Sequence, residues 1–378
     1  MIMRKLKLMT VVGTRPEIIK LSETIKLCDE AFEHVLVHTG QNYDYELNQV
    51  FFEGLGLREP DHYLGVAGDS LGQTMGNVLV KSYDLMAEVR PDALLVLGDT
   101  NSCLCVISAK RLKIPIFHLE AGNRCFDENL PEEVNRRIVD TTSDVNLCYS
   151  EHARRNLAAM GCDPARTFVV GSPMREVLTA QKETIAASKI LEQLELNPRG
   201  YILLSAHREE NIDNERNFYE MMDAVNALAE DRGVPVLYSM HPRSKGRIEA
   251  RGAEFHPLVR PHKPFGFADY VRLQKDSLCV VSDSGTLAEE SSILNFPAVS
   301  LRTSTERPEV VDRGVFTLGC ISAVQLCQAV RTEVLLGGRR SAVPDYADEG
   351  FSTKVVKIIQ GYTGYVNRHV WRKEAVND

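Results

Sequence analysis

Short apolar, β-rich runs alternate with longer stretches of helical period along nearly the whole chain, and this alternation restricts the fold to parallel sheets joined by crossover helices. In the first half the strand candidates are Leu6–Val12, His34–His38, Ala93–Leu97, Ile114–His118, Val145–Cys148 and Phe168–Val170. Between them, Pro16–Cys28, Ser70–Glu88, Asn101–Leu112 and Glu132–Thr142 carry apolar residues three and four apart, which predicts a helix after each strand. A Rossmann-like doubly wound domain is expected over residues 1–170. A polar helical stretch, Met174–Leu196, closed by the Asn197-Pro198-Arg199-Gly200 turn, reads as a connecting segment over 171–200. The alternation then restarts with strand candidates Tyr201–Ala206, Val234–Met240, Leu278–Ser282, Ala298–Leu301 and Val315–Leu318, and with helices over Asn217–Asp231 and Leu287–Asn295. A second domain is therefore expected over 201–355, and residues 356–378 form a tail expected to pack back on the first domain. The fold class is α/β, with two Rossmann-like doubly wound domains facing a central cleft. A length of 378 residues suits this, at roughly 150 residues per domain.

A net charge of −8 leaves no electrostatic footprint for nucleic acid, although a basic pocket for one diphosphate is compatible with it. Nine cysteines at irregular spacings, with no Cys-x-x-Cys pair, point to a reducing compartment. The basic and then apolar start at Met1–Val12 is cut short by Gly13, Arg15 and Glu17, so it does not read as a signal peptide. No run approaches the roughly 18 apolar residues of a membrane span. A soluble, cytoplasmic protein with neither membrane nor nucleic acid as partner is expected.

Ligands of open α/β sheets sit beyond the carboxyl ends of the strands, where helix N-termini present free N–H groups. After the first strand comes Gly13-Thr14-Arg15-Pro16-Glu17-Ile18-Ile19-Lys20, which is either an anion site or a capped helix with two solvated cations. Gly98-Asp99-Thr100-Asn101 follows the third strand, and a plain helix cap is the alternative for Asp99. His118-Leu119-Glu120-Ala121-Gly122-Asn123-Arg124 follows the fourth, and Pro131-Glu132-Glu133-Val134-Asn135-Arg136-Arg137 opens a helix whose dipole also favours acids. Carboxylates gathered at one sheet edge push each other's pKa values apart and supply proton-transfer groups. The second half offers cations and a small-residue turn instead: Ala206-His207-Arg208, His241-Pro242-Arg243, Ser282-Asp283-Ser284-Gly285-Thr286 before a helix with Glu289 and Glu290, and Glu306-Arg307-Pro308-Glu309. Such a pairing suits a diphosphate bearing a reacting sugar. Cys103 and Cys105 read as packing, since two residues apart on a helix they cannot face one ligand. The histidines show no metal-binding spacing and no Gly-x-Gly-x-x-Gly fingerprint occurs, so neither a metal nor a nicotinamide cofactor is expected.

On these motifs, in this order, the chain resembles the non-hydrolysing UDP-N-acetylglucosamine 2-epimerase family almost end to end, whose fold is similar to that of the GT-B glycosyltransferases. The resemblance implies catalytic roles for Asp99, Glu120, Glu132 and His207. It implies substrate or UDP contacts for Arg15, Lys20, Arg136, His241, Ser284, Gly285, Thr286, Glu290 and Arg307, with Glu290 holding the ribose. It also implies a homodimer. Thr286 stands where the family's turn usually has a second glycine, which predicts a slightly different backbone approach to phosphate. The Gly-Gln-His stretch that binds an allosteric UDP-sugar in some members is Gly40-Gln41-Asn42-Tyr43-Asp44-Tyr45 here, so that regulation is not expected. Ala121-Gly122-Asn123-Arg124-Cys125-Phe126-Asp127 and Glu209 after His207-Arg208 depart from the usual pattern and resemble one branch. That branch converts UDP-2-acetamido-2,6-dideoxy-L-talose to UDP-N-acetyl-L-fucosamine for capsule or O-antigen.

The C2 proton of such a sugar has no adjacent carbonyl. Inversion without a redox cofactor then requires UDP to leave C1 as the C2 proton is removed, and to return with protonation from the other face. Arg15, His207 and the Ser284–Thr286 amides are candidates to stabilise the departing diphosphate, and Asp99, Glu120 and Glu132 to move protons, with their individual roles open. Within the class the alternatives are UDP-N-acetylglucosamine itself and the 6-deoxy-L-rhamno sugar. Outside it they are a GT-B glycosyltransferase and a UDP-sugar sensor without turnover.

Overall fold

The computed structural model describes residues 4–41, 52–206, 208, 214–240, 242–337 and 341–373. Strands β1 (Lys7–Val12), β2 (Glu33–His38), β3 (His62–Tyr63), β4 (Ala93–Leu97), β5 (Ile116–Leu119), β6 (Val145–Cys148) and β7 (Thr167–Val169) make a parallel sheet in the order β3-β2-β1-β4-β5-β6-β7. Every residue of β4 and β5 is buried, as expected for strands covered by helices on both faces. A second sheet, built from β8 (Ile202–Ser205), β9 (Val236–Ser239), β10 (Val259–His262), β11 (Cys279–Ser282), β12 (Ala298–Ser300) and β13 (Thr317–Leu318), runs β10-β9-β8-β11-β12-β13, again all parallel. Each sheet reverses its strand order beside its first strand, between β1 and β4 and between β8 and β11. The crevice at such a point is where open sheets bind ligands.

The chain divides into two compact units, Met1–Ala180 with Ala347–Asp378, and Gln181–Tyr346. These limits differ from the expected ones. The Met174–Leu196 stretch is no single connecting helix: Met174–Ala180 buries Met174 and Val177 and packs on the Arg15–Ala31 helix of the first unit. Lys182–Ala187 and Ile190–Gln193 pack instead on the Phe267–Asp276 helix of the second, where Ser188 Oγ lies 2.5 Å from Asp269 Oδ1. Burial of apolar residues on each side, rather than a loose linker, places the crossing. The return crossing falls before residue 347, earlier than the expected 355/356 boundary, because the last helix, from Phe351, belongs to the first unit along its whole length.

That helix, Phe351–His369, is part of the first unit. Ser352 Oγ lies 2.9 Å from Thr24 Oγ1 and donates to Glu176 Oε2 at 2.5 Å, while Tyr362 meets Phe168 edge-on at 4.8 Å. Phe351 packs edge-on against Tyr149, whose ring lies 5.8 Å below the Lys20 ammonium. The C-terminal helix thus supports a residue at the mouth of the first sheet. Strand β10, Val-Arg-Pro-His, was not expected; it lies at the edge of the sheet beside β9, a place that tolerates Pro261 and needs few apolar residues.

Candidate active site

In the first unit the turn after β1 is held by Glu17. Its Oε2 accepts from Gly13 N–H at 2.5 Å and from Thr14 N–H at 3.1 Å, and its Oε1 accepts from Thr100 Oγ1 at 2.5 Å. The carboxyl therefore closes the helix start from the N3 position and ties the β1 turn to the β4 turn across the point where strand order reverses. Burial pushes its pKa from 4.5 up to about 7, the three hydrogen bonds opposing the shift and the charge of Asp99 adding to it. At neutral pH this group is close to half protonated.

Asp99, after β4, meets Arg136, whose Nε and Nη2 both lie 2.7 Å from Asp99 Oδ2. Asn135 Nδ2 donates to the Asp99 carbonyl at 2.9 Å. Glu120, after β5, meets Lys20 at 2.7 Å, and both side chains are nearly buried. Asn123 Nδ2 is 3.5 Å from the other oxygen of Glu120. Glu120 has φ +66°, a left-handed conformation that costs a non-glycine residue about 1 kcal/mol or more and is concentrated at functional sites. Gly98 faces it: φ is +79°, and a Cβ there would lie 3.9 Å from Glu120 Oε2. Adjacent parallel strands β4 and β5 therefore bring Asp99, Glu120, Lys20 and Arg136 to one sheet edge, each acid with a cation. Arg15 and Glu132 are half-buried, the latter in the first turn of the Pro131–Thr142 helix.

In the second unit Asp283, fully buried after β11, accepts from Arg208 N–H at 2.9 Å, and Arg208 Nε donates to its carbonyl at 2.9 Å. This joins the β8 and β11 turns, as Glu17 joins those of β1 and β4. Ser284, Gly285 and Thr286 then lead into the Leu287–Leu294 helix, with Ser284 Oγ and Thr286 Oγ1 3.0 Å apart. Thr286 has φ −70° and ψ −17°, values open to any L residue, so a glycine is not needed there. At Gly285 a Cβ would approach Glu306 Oε1 to 3.1 Å. Buried Glu290 accepts from Gln274 Nε2 at 2.6 Å. Arg307 is buried, its Nη2 3.5 Å from Glu289 Oε2. His207, His241, Glu209 and the 42–45 part of the altered Gly-Gln-His stretch lie outside the described residues. Among the described residues no group of three or more His, Cys, Asp or Glu side chains is placed to hold a metal ion.

The chain matches the family described as UDP-N-acetylglucosamine 2-epimerase over residues 26–360. It belongs to the UDP-N-acetylglucosamine 2-epimerase family. A solved UDP-N-acetylglucosamine 2-epimerase from Rickettsia bellii is 44% identical, with a TM-score of 0.90 over 98% of this chain and 100% of that one. The Methanocaldococcus jannaschii UDP-GlcNAc 2-epimerase, solved in complex with UDP-GlcNAc and UDP, is 29% identical with a TM-score of 0.89, covering 94% of this chain and 100% of that one. A UDP-2,3-diacetamido-2,3-dideoxy-D-glucuronate 2-epimerase from Pseudomonas aeruginosa is 32% identical over 87% of this chain and 92% of its own length.

For this 2-epimerase family member, sequence reasoning gave no individual role to Glu17, Asp283, His118, Arg124 or Glu133, which stand within the motifs it quoted, and did not reach Asp140. Glu17 and Glu133 sit in first turns of helices, where an acid is explained by capping alone. The available signal for Glu133 was its spacing, three and four residues before Arg136 and Arg137.

Proposed function

We propose that this enzyme, a UDP-sugar 2-epimerase of the non-hydrolysing kind, inverts C2 of UDP-2-acetamido-2,6-dideoxy-L-talose to give UDP-N-acetyl-L-fucosamine for capsule or O-antigen assembly. UDP leaves C1 as a carboxylate of the first unit takes the C2 proton, and UDP returns as a proton is delivered to the opposite face. Asp99, Glu120 and Glu132 move the protons. Arg15, His207 and the amides of Ser284–Thr286 stabilise the departing diphosphate, while Lys20, Arg136, His241 and Arg307 line the substrate site and Glu290 binds the ribose. On this reading the enzyme is a cytoplasmic homodimer.

The observation that carries the reaction class is the placing of Asp99 and Glu120 beside each other on neighbouring strand ends, each against its own cation. Transfer of a sugar to an acceptor does not explain several carboxylates gathered there, whereas C2 inversion needs two proton-transfer groups. The choice of sugar is supported by Asn123 and Cys125, which depart from the common family pattern. Asn123 approaches Glu120, and Cys125 Sγ lies 3.7 Å from Arg136 Nη1. UDP-N-acetylglucosamine is the second reading, favoured by the names of the relatives.

The test is incubation in deuterium oxide with each nucleotide sugar separately, following C2 by proton NMR. Inversion of the 6-deoxy-L-talo sugar with deuterium at C2 is the expected result. Faster inversion of UDP-N-acetylglucosamine overturns the sugar assignment, and absence of label in every product overturns the reaction class.

A further inference from the structure

We propose that Glu133 is a positioning residue that holds Arg136, and through it Asp99, in the geometry that proton transfer demands; this rests on the functional reading above. Glu133 is fully buried, yet its carboxylate meets three guanidinium groups. Oε2 lies 3.3 Å from Arg136 Nη1, and Oε1 lies 3.5 Å from Arg137 Nε and 4.0 Å from Arg124 Nε. Oε2 also accepts from the backbone N–H of Cys125 at 3.1 Å. Arg124 in turn places Nη2 2.6 Å from Asp140 Oδ2. Asp140 Oδ1 lies 2.9 Å from His118 Nδ1, and His118 Nε2 lies 2.8 Å from the carbonyl of Gly98, the residue before Asp99.

These groups close a circuit that starts on Asp99 and returns to the same turn. A buried carboxylate is tolerated only where cations and donors surround it, so Glu133 is fixed by its arginines and fixes them in return. The fork of Arg136 is used on both edges. Nε and Nη2 face Asp99, and Nη1 faces Glu133, which settles the plane of the guanidinium. Without the charge of Glu133 one edge is released, and the plane that orients the Asp99 carboxylate can turn. Its neighbour Glu132 is only half-buried, so the adjacent acids of this helix start do different work. By holding Cys125 N–H, Glu133 also anchors the Asn123–Cys125 stretch beside Glu120.

The test uses the full-length enzyme and the UDP-2-acetamido sugar that it turns over, with kcat and KM from NMR and UDP affinity from calorimetry. Glu133→Gln keeps shape and removes charge; the expected result is a fall of about 100-fold in kcat, the scale of a small misplacement of a reacting group, with KM and UDP affinity within about threefold. Glu133→Asp restores the charge and is expected to recover about tenfold of that loss. A Gln variant with wild-type kcat overturns the proposal, as does an Asp variant no better than Gln, or a loss of UDP affinity as large as the loss of kcat. Should the Gln variant fail to fold, Asp140→Asn at the far side of the circuit carries the test: lowered kcat with UDP affinity kept supports it, and wild-type kcat overturns it. Wild-type enzyme that inverts C2 while Glu133→Gln is unaffected removes this inference alone. Wild-type enzyme that inverts no UDP-2-acetamido sugar removes the functional reading and this inference together.

Discussion

Replacing Glu17 by Gln tests whether the tie between the β1 and β4 turns is held by a carboxyl that burial keeps partly protonated. The folded pKa of about 7 stands above the ordinary 4.5. Between those values the folded protein binds more protons at this site than the unfolded chain does, so stability falls as pH rises through the window. Below 4.5 the group is neutral in both states and costs nothing; above about 7 the full penalty is present. At 1.36 kcal/mol per unit, the shift corresponds to about 3 kcal/mol. Gln is the uncharged isostere: its oxygen can accept from Gly13 and Thr14, and its amide can donate to Thr100. The variant removes the slope while keeping the bridge. For a unit of this size about 3 kcal/mol moves a melting midpoint by roughly 6–12 °C. Part of the penalty is already present at pH 5, so calorimetry on both proteins at pH 5 and pH 8 should show the gap, Gln minus wild type, widening in favour of Gln at the higher pH by about 2.5 kcal/mol, or roughly 5–10 °C. A gap that stays constant to within a degree or two would refute the reasoning.

Asp99→Asn and Glu120→Gln are expected to lose turnover by orders of magnitude while keeping UDP affinity, the signature of interactions made in the transition state; wild-type kcat in either variant refutes that residue's catalytic role. Lys20→Met leaves Glu120 buried without its ammonium and should destabilise the first unit by about 3–5 kcal/mol at neutral pH, read as a lowered melting midpoint. An unchanged midpoint would mean that the pair contributes nothing to the fold. Glu290→Ala is expected to weaken UDP binding in calorimetry, and unchanged affinity removes the ribose assignment.

How far the sequence reveals this molecule depends on whether a feature is determined locally. Strand β4 is covered on both faces and is apolar throughout, and β6 is buried along its length with one polar residue, Asn146, whose amide donates to the Asp140 carbonyl; the limits of both can be read to the residue. Strand β10 lies at the sheet edge and carries Arg260, Pro261 and His262, a composition indistinguishable from a loop until β9 is beside it. The same divide runs through the site. Asp99, Glu120, Lys20 and Arg136 stand out because chemistry-bearing residues at strand ends and helix starts have an address fixed by the doubly wound topology. Their pairing does not stand out, since Lys20 reaches Glu120 only when β1 and β5 have been assembled around β4. Glu17 and Glu133 are the harder cases: each sits where an acid is good for its own helix, and that local benefit is a sufficient reason for its presence. What distinguishes them is burial, which depends on Thr100 for the first and on Arg124 for the second, residues outside the helix concerned. The i,i+3 and i,i+4 arginines after Glu133 were visible in the chain, but surface pairs with that spacing are worth little. Only enclosure by the neighbouring Arg124 and Asp140 turns that common pattern into a constraint on where Asp99 points.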